Sequence, residues 1–456
     1  MPISPGTTPS APENASAETR SAGRHGGSRS ATSLSQRGAS LLWTPEARIL
    51  LALLVLTLIR GVVYALLDPS FGAPDERDHF QYIASLATAG ATGSRGREGH
   101  QPMLYYALVA PAYWLAAGQT TAVRLLAVRM ASLPLLLGQV WLAWLSARKL
   151  APARPAVAVL AAGMVALQPQ LAYIGGSANN DDVANFVAAL LVFLTISMLL
   201  EWRWWLPAAT IVAVGAAVLS KGQILPMAGL ALLPPLGRFP RQLGAGHLKG
   251  LLLALPALLL AVVATRTWES SMLLERTQYL ITTLQRWPQA LEGIRNYGRT
   301  PYEYAFVSFW GAFLGESVRP FGAAYLLPAV VVVLGLAGLV AGGITGRGRG
   351  QGRSGRSVIA HGFLLLVIPM QIAVVYLLFV QSVLDPKFPW TLQYMQGRYM
   401  FPALLPLALL VAEGWDSWVR LTRRPVLTAV PIVALACFDL LSAVALANFY
   451  SWIPAG

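Results

Sequence analysis

Four short polar stretches interrupt a chain that is otherwise apolar, and each carries side chains able to do chemistry. The first runs Phe71-Gly72-Ala73-Pro74-Asp75-Glu76-Arg77-Asp78-His79. Asp75 and His79 lie four apart and would share one face of a helix. A carboxylate beside an imidazole serves as a general base or as part of a divalent-cation site. The same letters also describe a plain acidic helix start, with Pro74 in the first turn and Asp75, Glu76 and Asp78 at the positive end of the dipole. The second stretch is Gly175-Gly176-Ser177-Ala178-Asn179-Asn180-Asp181-Asp182. Asn179 with Asp182 three residues on suits a helix cap, and a capped helix start also orients polar groups.

Cations mark the other two. Lys221 stands between apolar segments in Leu219-Ser220-Lys221-Gly222-Gln223. It either snorkels to a membrane interface or supplies a point charge for a phosphate. In Gln393-Tyr394-Met395-Gln396-Gly397-Arg398-Tyr399, Arg398 and Tyr399 either anchor at an interface or offer a planar guanidinium fork to a phosphate or carboxylate. Gly397 would let another backbone or a ligand come close.

These residues need a scaffold, and composition says of what kind. Of 456 residues 55% are hydrophobic and only 12% charged, where an ordinary soluble domain is about 25% charged. With a mean hydropathy of +0.56, lipid is the solvent that makes such a surface acceptable. The formal charge of +14 sits in short clusters between apolar runs. That is a topology signal, and no nucleic-acid-binding signature accompanies it, so no nucleic-acid partner is expected. The single cysteine, Cys437, leaves no internal disulfide.

The expected fold is an all-α, polytopic bundle of transmembrane helices with juxtamembrane helices on the outer face. Residues 1–44, rich in Ser, Gly, Ala, Pro and Thr with scattered Arg, read as a disordered cytoplasmic tail. Runs of about twenty apolar residues cross a bilayer. Eleven are read, at 46–67, 122–147, 155–174, 183–200, 204–220, 222–237, 249–265, 321–343, 358–380, 399–414 and 425–449. If 101–118 does not cross, every Lys/Arg cluster falls on one side, as the positive-inside rule demands. It is therefore read as an outer-face helix anchored by Tyr105, Tyr106, Tyr113 and Trp114. The N-terminus is then cytoplasmic and the C-terminus outside, and 68–121, 175–182, Lys221, 266–320 and 381–398 gather on the outer face. The aromatic-rich segment 266–320 is a candidate lid.

The order of an outer-loop Asp-Glu, Gln101-Pro102-Met103-Leu104-Tyr105-Tyr106, an Arg-bearing span, Asn-Asp-Asp and a Ser-Lys-Gly turn resembles the GT-C superfamily. These membrane glycosyltransferases take sugars from polyprenyl-phosphate donors; protein mannosyltransferases and lipid A aminoarabinose transferase are of that type. Pro74-Asp75-Glu76 with His79, and Gly397-Arg398-Tyr399 with Phe401-Pro402, look most like an uncharacterised bacterial branch. The resemblance covers 45–265 for the superfamily module, with 321–456 as further transmembrane helices. It implies a multi-pass plasma-membrane protein that moves a sugar from a polyprenyl-phosphate lipid to an envelope glycan, lipid or protein with inversion. Asp75 would deprotonate the acceptor hydroxyl, and Glu76 would share that role or join Asp181 or Asp182 around a divalent ion, Mg or Mn. Lys221 and Arg398 would hold the departing phosphate, with His79 and Tyr399 supporting. Superfamily members often carry a large soluble C-terminal domain, whereas this chain ends at Gly456 after its last span. Acceptor recognition is then expected in 68–121 and 266–320, or on a partner. A flippase or transporter of lipid-linked glycans and a non-catalytic assembly subunit are the rival classes. No paired halves are visible in the sequence, contrary to many transporters.

Overall fold

The computed structural model describes residues 45–88, 97–238, 281–282, 285–314, 317–345, 355–384 and 395–449. The tail 1–44 and the run 249–265 lie outside the described residues. The helices in chain order are α1 (Pro45–Leu67), α2 (Glu76–Thr88), α3 (Leu104–Leu115), α4 (Thr121–Leu150) and α5 (Pro155–Ala166). Then come α6 (Pro169–Gly175), α7 (Asp181–Leu200), α8 (Leu206–Val218), α9 (Leu225–Arg238), α10 (Trp287–Tyr297) and α11 (Thr300–Trp310). The last are α12 (Leu326–Ile344), α13 (Gly355–Leu384), α14 (Leu404–Thr422) and α15 (Ala429–Phe449). No strand occurs among the described residues beyond one isolated bridge, Phe313 to Val318.

The protein is an integral membrane protein of all-α, polytopic architecture. Six described helices are long and apolar enough to cross a bilayer, seven if the pair α5–α6, bent by 59°, counts as one. Large aliphatic side chains stand outward on these helices, among them Leu51, Val333, Leu366 and Leu440, a surface that only lipid tolerates at this extent. Six of the eleven apolar runs, 46–67, 122–147, 183–200, 321–343, 358–380 and 425–449, correspond to those six helices. The run 155–174 breaks because Pro169 cannot continue the helix before it. Helices α8 and α9 have 13 and 14 residues, below the roughly 20 that cross a hydrocarbon core. They form a hairpin whose turn carries Lys221. With 12 residues, α3 reaches about 18 Å. Helix α14 has the length, with 19 residues, but carries Glu413, Asp416 and Arg420 in its second half.

Small residues set the closest helix contacts, as expected where lipid removes the hydrophobic drive for helices to associate. Gly335 and Gly338 of α12 lie against Gly414 of α14 backbone to backbone, and Trp415 and Trp418 Nε1 donate to the carbonyls of Val331 and Leu334 at 2.9 and 2.8 Å. Polar side chains then sort into tiers at opposite helix ends. One tier pairs Arg148 with Glu46 at 3.1 Å, Lys149 with Glu201 at 2.7 Å and Arg154 with Glu413 at 2.8 Å. The other gathers Asp68, Asp75, Glu76, Arg129, Asp181, Lys221 and Arg398. Between the tiers, Arg60 of α1 meets Asp439 of α15, with Nε to Oδ2 at 2.7 Å. This paired charge ties the first helix to the last.

Candidate active site

The outer tier is built on the turn after α1. Asp75 closes that turn with φ +58°, a left-handed conformation that Asp tolerates better than most side chains. Its carbonyl accepts from the amides of Asp78 and His79, both at 3.0 Å, so it starts α2. Glu76 is turned the other way and fully buried. Arg129 of α4 donates to it from Nε at 2.8 Å and Nη2 at 2.6 Å, and the Ala178 amide adds a third bond at 2.9 Å. The same guanidinium reaches the carbonyls of Ala65 and Asp68, both at 2.7 Å, and Asp68 Oδ2 at 3.1 Å. Glu76, expected to share catalysis or bind metal, is thus held by three inward-facing hydrogen bonds, two from Arg129 and one from the Ala178 amide. Burial and the neighbouring Glu76 charge push the Asp68 carboxyl up to about 7 against the pull of Arg129.

The start of α7 supplies the second part. Asn179 Oδ1 accepts from the Asp181 amide at 2.9 Å, and its Nδ2 donates to the Pro74 carbonyl at 3.2 Å. This ties the corner 175–182 to the Asp75 turn. Asp181 points into the site, its Oδ1 paired with Lys221 Nζ and its Oδ2 lying 3.7 Å from Arg398 Nε. Asp182 points away, toward Ser132 of α4, which also meets the Tyr105 hydroxyl at 3.0 Å. The expected metal ligands therefore do not converge. Glu76 serves Arg129, Asp181 serves two cations, and Asp182 faces another helix. Among the described residues no group of three or more His, Cys, Asp or Glu side chains is arranged to hold a metal ion.

Arg398 sits in the 3₁₀ turn Gly397–Ala403 that leads into α14. A side chain on Gly397 would strike the backbone of Ala305 and Phe309 in α11, and the Gly397 amide donates to Ser308 Oγ at 2.8 Å. The segment expected as a lid is thus helical over α10 and α11, and α11 is a packed wall, with Ala305, Phe309 and Trp310 buried. From that wall Arg398, only 3% exposed, reaches Asp75 Oδ2 with Nη2 at 3.2 Å. Its Nε and Nη1 are buried and make no hydrogen bond, Nε having only the 3.7 Å ion-pair contact with Asp181. Tyr399 lies between the two cations, its ring centre 5.1 Å from Lys221 Nζ and 5.3 Å from Arg398 Cζ. His79, one turn along α2, joins the same cluster with Nδ1 2.8 Å from the Tyr106 hydroxyl.

Of the eight residues singled out in the sequence, six meet here: Asp75, His79, Asp181, Lys221, Arg398 and Tyr399. Glu76 and Asp182 lie behind them. Sequence reading assigned no site role to Arg129 or Asp68 and marked Tyr106 only as an interfacial anchor. For Arg129 the signal was present, a charge inside an apolar run. For Tyr106 nothing distinguished it from an interfacial anchor.

The described residues also line an apolar chamber of about 420 Å³. It lies between α11, α12, α13 and the Arg398 turn, with Phe306, Phe309, Val333, Ile372, Met395 and Met400 among its walls. Met395 and Met400 flank Arg398 in sequence, so the chamber and the guanidinium share one turn of chain.

No protein-family model matches the chain, and no curated protein matches its sequence. Among solved structures there is a likeness. The chain is similar to ArnT from Cupriavidus metallidurans. The crystal structure of ArnT bound to undecaprenyl phosphate aligns over 86% of this chain and 75% of ArnT, at 14% identity and a TM-score of 0.47. The apo crystal structure aligns over 90% and 76%, at 16% identity and a TM-score of 0.46. At such identities and scores the likeness to ArnT bears on no residue's chemistry.

Proposed function

We propose that the protein is a membrane glycosyltransferase that moves a sugar from a polyprenyl-phosphate donor to a hydroxyl of an envelope acceptor. The observation that carries this reading is Arg398, buried against Asp75 and Asp181 with Nε and Nη1 making no hydrogen bond, in a turn whose Met395 and Met400 line an apolar chamber. A buried donor left unsatisfied costs on the order of 1–3 kcal/mol, and an anionic oxygen entering the site would remove that cost. A lipid phosphate fits both halves: the phosphate on Arg398 and Lys221, the isoprenoid chain in the chamber. Arg398 offers the planar fork that suits phosphate oxygens.

In the reaction the acceptor oxygen bonds to the anomeric carbon as the bond from that carbon to the phosphate oxygen breaks. The hydroxyl proton passes to Asp75, whose side chain is 43% exposed and so within reach of an acceptor. The bond electrons leave with the lipid phosphate, whose added charge Arg398 and Lys221 stabilise. Single displacement inverts the anomeric centre. The site faces away from the cytoplasm, because Arg148, Lys149, Arg154, Arg203 and Arg420 all lie at the opposite helix ends. The acceptor is an envelope glycan, lipid or protein. The test is direct: purified protein, polyprenyl-phosphate sugars and an acceptor, with the anomeric configuration of the product read by NMR. A product with retained configuration, or no transfer from any such donor, would sink the reading.

A further inference from the structure

His79 stands among four charges yet is paired with none of them. It is 3% exposed, starts one turn after Asp75, and makes its hydrogen bond to Tyr106 Oη through Nδ1. The tyrosine is fixed in turn: its ring is fully buried and stacks at 4.0 Å on Tyr82. The charges that bear on the imidazole come from each side of the site: Lys221 from the α8–α9 turn, Asp181 from α7, Arg398 from the 3₁₀ turn and Asp75 from its own helix start. Two are cations and two are anions, and of the four Lys221 bears on the ring most. The Nε2 atom has no protein hydrogen-bond partner among the described residues, and it is not among the enclosed unpartnered atoms. It is the ring nitrogen left to the site.

We propose that His79, positioned by Tyr106, binds a hydroxyl group of a reactant beside Asp75 through Nε2. This rests on the glycosyltransferase reading for the identity of the reactants, but not for the state of the ring. Burial, then the Lys221 charge, pushes the imidazole down to about 3, so the ring is neutral throughout the range where histidine usually titrates. A neutral imidazole makes one donor and one acceptor available. With Nδ1 committed to Tyr106, the remaining nitrogen can fix a neutral hydroxyl without competing for the phosphate. A cation there would draw the phosphate toward Asp75, and a second base would compete for the proton. The hydroxyl belongs either to the donor sugar or to the acceptor, and the chemistry of the contact is the same.

Two measurements decide it. Histidine-labelled protein in detergent micelles, titrated by NMR with His79→Gln to assign the resonance, should show His79 unmoved from pH 5 to 8. A His79 midpoint inside that range overturns the proposal, whatever the protein catalyses. Binding of undecaprenyl phosphate alone and of the same lipid bearing one hexose is then compared in parent, His79→Phe and His79→Gln. If the donor hydroxyl is the ligand, His79→Phe loses about tenfold affinity for the hexosyl lipid, the scale of one hydrogen bond, and none for the bare lipid phosphate. If it is the acceptor hydroxyl, both affinities hold while the acceptor KM in turnover rises by a similar factor. His79→Gln, which retains hydrogen-bonding atoms, recovers part of either loss. Tyr106→Phe shifts the His79 resonance and reproduces part of the defect. A parent that binds the lipids without turning them over ends the glycosyltransferase reading, yet His79 is still judged on the binding arm. Binding unchanged in His79→Phe, with no acceptor effect in turnover, ends the proposal.

Discussion

At the scale of residues, Arg398 separates recognition from anchoring. An interfacial anchor needs only a long cation, so Arg398→Lys would be nearly silent. A phosphate held by a planar fork loses its geometry when lysine replaces it, although the charge stays. Arg398→Lys should therefore raise the apparent donor Kd by about tenfold, while Asp75→Asn keeps donor binding and loses turnover by about a hundredfold or more. Equal donor affinity in Arg398→Lys and parent would return the residue to an anchor. Asp68 gives a second test at this scale. Its folded value of about 7 lies above the roughly 3.9 of a free aspartate. The folded state thus holds a proton that the unfolded state has shed. Its contribution to stability is complete below about pH 4 and is lost as pH rises to 7. Thermal unfolding in detergent should show stability falling over that window, and Asp68→Asn should flatten the fall. An unchanged slope in the variant would assign it to other groups.

At the scale of elements, the question is what holds the Asp75 turn against α4 and α7. Glu76 is the peg, with Arg129 and the Ala178 amide on either side. Removing one partner of a buried ion pair leaves an uncompensated charge and costs about 3–5 kcal/mol. Glu76→Gln should lower stability on that scale, while the folded fraction keeps its donor affinity. If it folds normally yet loses turnover with donor affinity intact, Glu76 takes part in catalysis after all. The Arg398 turn depends on Gly397, whose missing side chain lets the chain lie on the α11 backbone. Gly397→Ala must push α11 and the turn apart, so donor affinity should fall at least as far as in Arg398→Lys. An alanine variant with parental affinity would mean that the turn has room to spare.

At the scale of the molecule, the two polar tiers imply a sidedness that can be measured. Reporter fusions active only outside the cytoplasm should work after Gln119 and after Gly298, and fail after Thr345 and after Arg424. Activity at Thr345 would reverse the face on which the site opens. The ion pair between Arg60 and Asp439 belongs to the same scale, since it joins helices nearly four hundred residues apart. It closes the bundle within the apolar layer, where two unpaired charges would be costly.

The membrane class and the polar stretches were legible from sequence, because hydropathy and charge are properties of composition and order alone. Asp75, His79, Asp181, Lys221, Arg398 and Tyr399 stood out because polar side chains are conspicuous in an apolar chain. Which of two adjacent acids faces the site was not legible. Asp75 and Glu76, like Asp181 and Asp182, are neighbours, and successive residues of a helix start point in different directions. Only packing against α4 decides that Glu76 and Asp182 turn inward and their neighbours outward. The break between α5 and α6 and the short α8–α9 hairpin were likewise visible only in the tertiary structure, since hydropathy alone does not show where an apolar run bends or turns back. The apolar chamber arises where α11, α12, α13 and the Arg398 turn meet, and the setting of His79 where α2, α3, α7 and that turn meet. Those contacts join residues more than three hundred positions apart, as Asp75 and Arg398 are, and no local pattern in the sequence encodes such a distance.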